Sequence, residues 1–284
     1  MAANIKSLKT RIKSVDSTLH LTKAMGLVAS SKIRKANLKM SAGRQYREAI
    51  GSIVDLLTVC PECERSPYLR VSEGEKTKLI VIAGDRGLAG GYNANVFRTV
   101  RDFGEADIVP IGKRACERYG AEVNSSEKFS SDEAVTLARE LCREFYDGEY
   151  DRIGIVTTRY VSMMTQTPEI VWLLPLSRPE GKNSTGAIFE PDAATILETA
   201  VVEYVSGMIV ACLRESYASE VAARRMAMDS AGKNARAMID ELQLKYNRAR
   251  QGAITQEITE VSSGAKSMRK KAKMKSVRGG VKSE

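Results

Sequence analysis

The chain has 284 residues, of which 43% are hydrophobic and 28% are charged, with a net charge of +9. This composition excludes a wholly disordered chain and has room for one or two globular domains. No uninterrupted apolar run approaches the roughly 18 residues of a membrane-spanning helix, and no apolar signal region opens the chain. The five cysteines are odd in number and scattered, so we expect a reducing, cytoplasmic environment rather than a disulfide framework.

The first 60 residues predict one long helix. Its apolar residues recur at spacings of three and four, which is typical of a helix that packs along a partner helix. Lysines and arginines occupy the positions between them almost without acids, whereas exposed helices usually mix both signs. The predicted apolar stripe consists of Ile5, Leu8, Ile12, Val15, Leu19, Met25, Ala29, Ile33, Ala36 and Met40.

Residues 61–191 predict the only conventional core, because all seven prolines and 12 of the 16 aromatic residues lie there. Strand and helix patterns alternate, and Ser130 is placed to cap a helix that continues to about Tyr146. This alternation predicts a mainly parallel sheet with crossovers, a Rossmann-like α/β domain. The strand candidates are 79–83, 108–111, 153–158 and 170–174, and the other helices lie near 95–100 and 112–119.

A glycine-rich loop, Gly84–Gly91, follows the first predicted strand. It lacks the Lys-Ser/Thr pair of a Walker phosphate loop and the glycine spacing of a dinucleotide loop. We therefore interpret the turn at Asp85 and Arg86 as a structural elbow and expect no cofactor. The one histidine, His20, lies on the polar face of the basic helix, so we expect neither a catalytic base nor a metal site. A lone CxxC, Cys60–Cys63, is interpreted as a loop with two thiols rather than a zinc or redox site.

Residues 192–267 predict a second long helix, free of proline and opened by Asp192 as a cap. Some 75 helical residues would reach about 110 Å. The natural partner is the first helix, folded back antiparallel, and the surplus length must protrude or enter another protein.

Residues 268–284 form a basic tail that we expect to be disordered, because the sequence from Ala265 onward contains eight Lys or Arg and only one acidic residue.

Five stretches resemble the gamma subunit of the F-type ATP synthase, in the bacterial form. The resemblance implies an α/β fold in which a long antiparallel coiled coil of the terminal helices carries an inserted Rossmann-like domain. It also implies a rotor that couples ion flow through the membrane ring to ATP synthesis or hydrolysis, without bond chemistry of its own. The matching stretches are 21–25, 30–35, 83–93, 241–251 and, most specifically, 254–267.

The resemblance implies partners and contact residues. The coiled coil enters the hexamer of alpha and beta subunits, while the α/β domain meets the epsilon subunit and the proteolipid ring, so the membrane is reached only through the complex. Acidic levers of the catalytic subunits are expected to meet cations near Met25, which include Lys32 and Lys35. Family contacts carry over to Met25, Lys23, Arg34, Arg224, Arg250, Gln251 and Thr255.

Two departures from the family pattern matter. Gamma subunits usually stop soon after the Gly264-Ala265 signature, whereas this chain continues through a basic tail that could brake rotation. The segment 175–191 is too short for the inserted regulatory cysteine pair of plant chloroplast chains. With no transit peptide in view, we expect a peripheral protein at the cytoplasmic face of a bacterial plasma membrane.

Two other classes of protein stay open as alternatives. A basic coiled-coil nucleic-acid-binding or adaptor protein would share the positive charge, but aromatics interleaved with cations are missing from the terminal helices. A Rossmann enzyme would need a working phosphate loop and a catalytic base. We expect no nucleic acid as a partner and no catalytic residues.

Overall fold

A computed structural model describes the backbone of residues 2–71, 74–179 and 189–279, and side chains from 5 to 268 within those ranges. Its internal contacts divide the chain into two compact units, residues 1–24 with 229–284, and residues 25–228. Two 3-10 turns, Pro61–Cys63 and Pro67–Leu69, follow the first helix. The helices and strands are α1 (Ala2–Thr58), β1 (Thr77–Ile82), α2 (Tyr92–Phe103), β2 (Asp107–Ile111), α3 (Lys113–Tyr119), α4 (Ser131–Tyr146), β3 (Arg152–Tyr160), β4 (Gln166–Leu174) and α5 (Ala193–Gly279).

The four strands form one sheet in the order β2-β1-β3-β4. β1 pairs in parallel with both β2 and β3, and β4 pairs antiparallel with β3. The mainly parallel sheet is thus confirmed, with one antiparallel edge. The connection 161–165 is too short for a crossover, so β3 and β4 can only form a hairpin. Pro110 and Pro168 lie on the two edge strands, where a missing N–H interrupts no central ladder.

The predicted cap at Ser130 forms a complete capping box. The Glu133 backbone N–H donates to Ser130 Oγ at 3.1 Å, and the Ser130 N–H donates to Glu133 Oε2 at 2.7 Å. Two of the free N–H groups at the start of α4 are thereby satisfied. The periodic pattern and the cap together set where α4 begins.

The sheet separates two layers of core. One face, with Val81 of β1, packs against α2, whereas the other, with Ile80 and Ile155, packs against α4 and the first turns of α5. Val54 and Leu57 at the end of α1 join this second cluster. The core therefore takes in residues on both sides of the predicted boundaries at residues 60 and 191.

Helix α5 carries the most apolar segment of the protein. An 18-residue window within it has a mean hydropathy of 1.7, which by length and composition would suffice to cross a membrane. Of this window, 61% is buried inside the protein. Its apolar character therefore serves largely to cover the sheet.

Within residues 25–228, α1 and α5 run antiparallel along the predicted stripe. Ala29 and Ile33 pack with Val221 and Ala222, and one turn further along α1 the contacts move to Ala218. Small side chains line this seam. A Cβ on Gly43 would lie only 3.5 Å from Ala211 Cα, so the backbones approach closely here.

Within the unit of residues 1–24 and 229–284, the same antiparallel pairing is present. Leu19 is buried and lies against Gly232, and Ile12 and Ile239 line one groove nearer the start of α1. These contacts confirm the predicted antiparallel coiled coil.

Helix α5 continues far past its pairing with α1. Beyond Ala253 the described side chains are exposed, including Ile258 at 64% and Val261 at 70%. The helix also passes the predicted end at Ser267 and reaches Gly279, while residues 280–284 lie outside the described part of the chain. Disorder of the tail stays a prediction.

Candidate partner-contact surfaces

The carboxylate of Asp85 organises the loops at the carboxyl ends of β1 and β2. It accepts hydrogen bonds from Ser125 Oγ at 2.5 Å and from the backbone N–H groups of Ser126, Lys113 and Glu127 at 2.9, 3.1 and 3.2 Å. Burial raises its pKa, but these bonds to the ionised form outweigh burial and hold the pKa below its ordinary value. The arrangement supports the interpretation of the turn as a structural elbow.

Arg224 lies on α5 beside the glycine-rich loop and is bound within the chain. Its guanidinium donates to the carbonyl of Gly87 at 3.3 Å and forms a short ion pair with Glu220. Only 13% of its side chain is exposed. The predicted partner-contact residue therefore holds the loop in place, and little of its surface is left for another subunit.

Glu220 is buried against the loop backbone. A Cβ on Gly84 would lie 2.6 Å from Glu220 Cδ, so only glycine allows this approach. Burial raises the pKa of Glu220, and the neighbouring Arg224 only partly opposes it. The loop is thus hydrogen-bonded by Arg224, while the carboxyl group of Glu220, one turn away on α5, packs against Gly84.

Leu88 is a surface residue that sequence reasoning missed. It has a φ of +62°, a conformation that non-glycine residues rarely adopt, and its side chain is 61% exposed. Arg224 fixes the carbonyl just before it, and Ala89 just after it is buried. Strained backbone persists where surrounding contacts demand it, often at functional sites. The sequence feature that could have indicated this surface residue is Leu88 itself, an apolar side chain between the glycines of a turn.

The predicted contact residues of α1 have different environments. Lys23 and Arg34 are exposed, as is Lys35, and Met25 is half-buried. Lys32 differs, because its Nζ donates to Glu127 Oε1 at 3.1 Å. Its charge is matched within the chain by Glu127, although 37% of its side chain is exposed. The expected contact with a partner's acid stays a prediction.

The other three predicted contact residues of α5 lie further along the helix than Arg224. Arg250, Gln251 and Thr255 are exposed, and Thr255 Oγ1 donates to the Gln251 carbonyl at 3.0 Å, so these two share a helix face. Lys23 belongs to the same unit but lies near the level of Gly232. At 1.5 Å per residue, Arg250 is about 27 Å further along α5. The structure therefore does not bring Lys23 together with the other three.

The cysteines are buried rather than displayed in a loop. Cys60 and Cys63 flank a 3-10 turn within the main core, and burial raises the pKa of Cys63 to about 11. Thiols of this kind are poor nucleophiles at neutral pH.

His20 is exposed, with Nε2 3.7 Å from Asp16 Oδ2. The residues described here hold no group of three or more His, Cys, Asp or Glu that would suit a metal ion.

Proteins of one family match this chain over nearly its whole length. The ATP synthase family matches residues 4–268. The ATP synthase gamma chain of Ruminococcus albus is 39% identical, over 93% of this chain and 98% of its own. That of Moorella thermoacetica is 37% identical, over 94% and 100%. The chain belongs to the ATP synthase gamma chain family.

Solved structures of mitochondrial ATP synthases contain chains with the same fold. A chain in the Euglena gracilis mitochondrial ATP synthase superposes with a TM-score of 0.69 at 16% identity, covering 96% of this chain and 97% of that one. A chain of the central stalk and c-ring of the Tetrahymena thermophila enzyme gives 0.60 at 20% identity, covering 74% and 99%. The gamma chain described here is thus a subunit of an ATP synthase, and the nucleic-acid-binding alternative finds no support.

Proposed function

We propose that the chain is the central-stalk rotor of its ATP synthase. It couples ion flow through the membrane ring to ATP synthesis or hydrolysis in the catalytic hexamer by rotating, and it carries out no bond chemistry. The observation that carries this proposal is the distal part of α5, where Ile258 and Val261 are exposed on a helix without a described partner strand or helix. Exposed apolar side chains in a row require cover from another protein.

The proposed partners rest on membership of the gamma chain family. The distal part of α5 and the cations Lys23 and Arg34 face the alpha and beta subunits, and the α/β domain faces the epsilon subunit and the proteolipid ring. Exposed ion pairs contribute only about 0.2–1 kcal/mol each, so a turning shaft can exchange them at every step. The complex would sit at the cytoplasmic face of a bacterial plasma membrane, with this chain peripheral to the bilayer.

Purification in mild detergent tests the assembly. A tag on this chain should bring down the catalytic subunits and the proteolipid ring together, and the preparation should hydrolyse ATP. Recovery of the tagged chain with nucleic acid, and without ATPase subunits, would contradict the proposed function.

The contact residues of α5 give a sharper test. Replacing Gln251 with Leu and Thr255 with Val removes polar groups from one exposed face without burying anything, so the chain stays folded. We expect ATP-driven proton pumping to fall by several-fold, because each lost hydrogen bond to a partner costs about 1 kcal/mol.

The control is a second double variant, Thr10→Val with Gln45→Leu, which changes exposed positions outside the predicted contacts. If pumping and rotation in both double variants equal those of the unaltered enzyme, then Gln251 and Thr255 are not contact residues.

A further inference from the structure

One carboxylate on α5 joins three elements. Glu215 Oε1 accepts from Arg44 of α1 at 2.5 Å and from the Tyr160 backbone N–H, at the end of β3, at 3.1 Å. Its other oxygen lies 3.8 Å from Arg47. Arg44 also donates to the Tyr160 carbonyl at 2.9 Å, and only 7% of the Glu215 side chain is exposed. The carboxylate is therefore largely shielded from water, whereas the Arg44 side chain is 37% exposed. Hydrogen bonds between ionised groups are shorter and stronger than neutral ones.

A second carboxylate repeats this arrangement nearer the glycine-rich loop. Glu127 Oε1 accepts from Lys32 of α1 at 3.1 Å and from Tyr217 OH of α5 at 3.2 Å. Its own backbone N–H is bound by Asp85, so the loop that presents it is fixed. Helices α1 and α5 thus meet the α/β domain at two carboxylates.

The apolar seam between the helices sets their register by packing alone. Along this part of α1 small side chains alternate with larger ones, and the buried residues are Ala29, Ile33, Ala36 and Met40 of α1 with Ala218, Val221 and Ala222 of α5. Apolar contact is non-directional, so a small slip is resisted only by the fit of these side chains. Directional polar bonds penalise such slips, as polar groups do in coiled coils.

Helix α5 has further bonds to the sheet. Ser219 Oγ donates to the Thr158 carbonyl at 3.0 Å, and Thr157 Oγ1 donates to the Cys212 carbonyl at 3.3 Å. Helix α1 instead reaches the domain through Arg44 and Lys32, each bound to one of the carboxylates. Torque applied to the domain therefore reaches α5 along several polar bonds. It reaches α1 along these two polar links and through Val54 and Leu57, which are buried in the main core.

We propose that Glu215 and Glu127 are positioning residues that fix the register of α1 against α5 and the sheet, so that both helices of the shaft turn together. This inference rests on the proposed rotor function. It assigns part of the torsional stiffness of residues 25–228 to these two carboxylates, in addition to the apolar packing of the seam and of the end of α1.

The test uses the complete ATPase complex with its hexamer immobilised and a probe attached to the α/β domain. During pauses in ATP-driven rotation, the variance of the probe angle measures the torsional stiffness of the rotor. In Glu215→Gln and Glu127→Gln we expect this variance to rise by roughly 1.5-fold or more, because one of two parallel linkages is weakened. Glu203→Gln, at an exposed position of α5, is the matched control and should leave the variance unchanged.

A charge exchange between Lys32 and Glu127 distinguishes loss of the ion pair from misfolding of a variant. Lys32→Glu alone should increase the variance, and Lys32→Glu with Glu127→Lys should restore it, since both side chains are over a third exposed and tolerate either charge. Equal variance in the unaltered enzyme, both Gln variants and the Lys32→Glu variant would overturn the proposal. An unaltered complex that hydrolyses ATP without rotating would instead overturn the rotor function itself.

Discussion

Two carboxyl groups at the glycine-rich loop are both removed from water, yet their pKa values shift in opposite directions. Asp85 accepts several hydrogen bonds from backbone and hydroxyl groups, and its pKa falls in spite of burial. Glu220 is more deeply buried with Arg224 as its main cation, and its pKa rises. The number of donors that face each carboxylate explains the difference.

Replacing Asp85 with Asn should lower the free energy of unfolding by about 2–3 kcal/mol at neutral pH, because the charge-assisted bonds to the 112–113 and 125–127 segments are weakened. A carboxyl with a lowered pKa stabilises the fold above its ordinary value of 3.8. This contribution disappears as the pH falls through the lower pKa of the folded state. Urea unfolding at pH 7 and at pH 3 measures both effects.

Asp102→Asn is the control for Asp85→Asn, since Asp102 is exposed beside Arg101. An equal loss of stability in both variants, or a loss at Asp85 that does not shrink in acid, would contradict the assigned role.

Replacing Gly84 with Ala should destabilise the chain by about 1–3 kcal/mol, because the new Cβ would overlap the carboxyl group of Glu220. At Gly51, in the interior of α1, a Cβ would meet nothing within 4 Å. The same substitution there should stabilise the helix by up to about 1 kcal/mol. Thermal unfolding of the two variants should therefore shift in opposite directions, and a shift of the same sign would refute the packing at Gly84.

At the scale of the elements, the apolar period of α1 determines which of its sides packs against α5. Alternating spacings of three and four place Ile12, Leu19, Ala29 and Ile33 on the side of α1 that is half-buried or buried. Apolar residues off this side, such as Leu21 and Leu27, are exposed. The period thus selects which apolar residues stabilise the pairing.

Leu19 and Leu21 give a direct comparison, because they differ in burial and not in type. Leu19 is 7% exposed and Leu21 is 59% exposed. Leu19→Ala should cost about 2–3 kcal/mol and Leu21→Ala less than about 0.5 kcal/mol. Chemical denaturation followed by circular dichroism measures both, and similar losses would show that the seam is misplaced.

At the scale of the whole molecule, α5 is longer than its partner can cover. The helix runs to Gly279, and exposed side chains follow one another from Ile254 to Met268, the last side chain that the structure describes. A rotor explains both the length and the exposed apolar residues, because the catalytic hexamer would surround this end.

Truncation after Ser267 tests whether the tail acts as a brake. We expect the assembled enzyme to hydrolyse ATP up to about fivefold faster without it, because a cationic tail on an acidic surface adds contacts of up to about 1 kcal/mol to each step. The gain should shrink at high salt. A full-length variant with glutamine at positions 270, 271, 273 and 275 should behave like the truncation, and identical rates in all three chains would exclude a brake.

The sequence by itself determined the periodic and local features. The seam of α1, the capping box at Ser130 and the order of strands and helices follow from spacing and from residues a few positions apart. The short 161–165 connection also required the antiparallel hairpin that the predicted parallel sheet had left out. The family signature at 254–267 pointed to the gamma chains for the same reason, because it is a local string.

Only the tertiary structure decided which charges are free. Lys32 and Arg34 look equivalent in the sequence, yet Lys32 binds Glu127, which is 95 residues away, and Arg34 is exposed. Arg224 is likewise bound to a loop far away in sequence, and Cys60 and Cys63 are buried in the core. Contacts over such separations depend on how α1, α5 and the sheet pack, which no local pattern encodes.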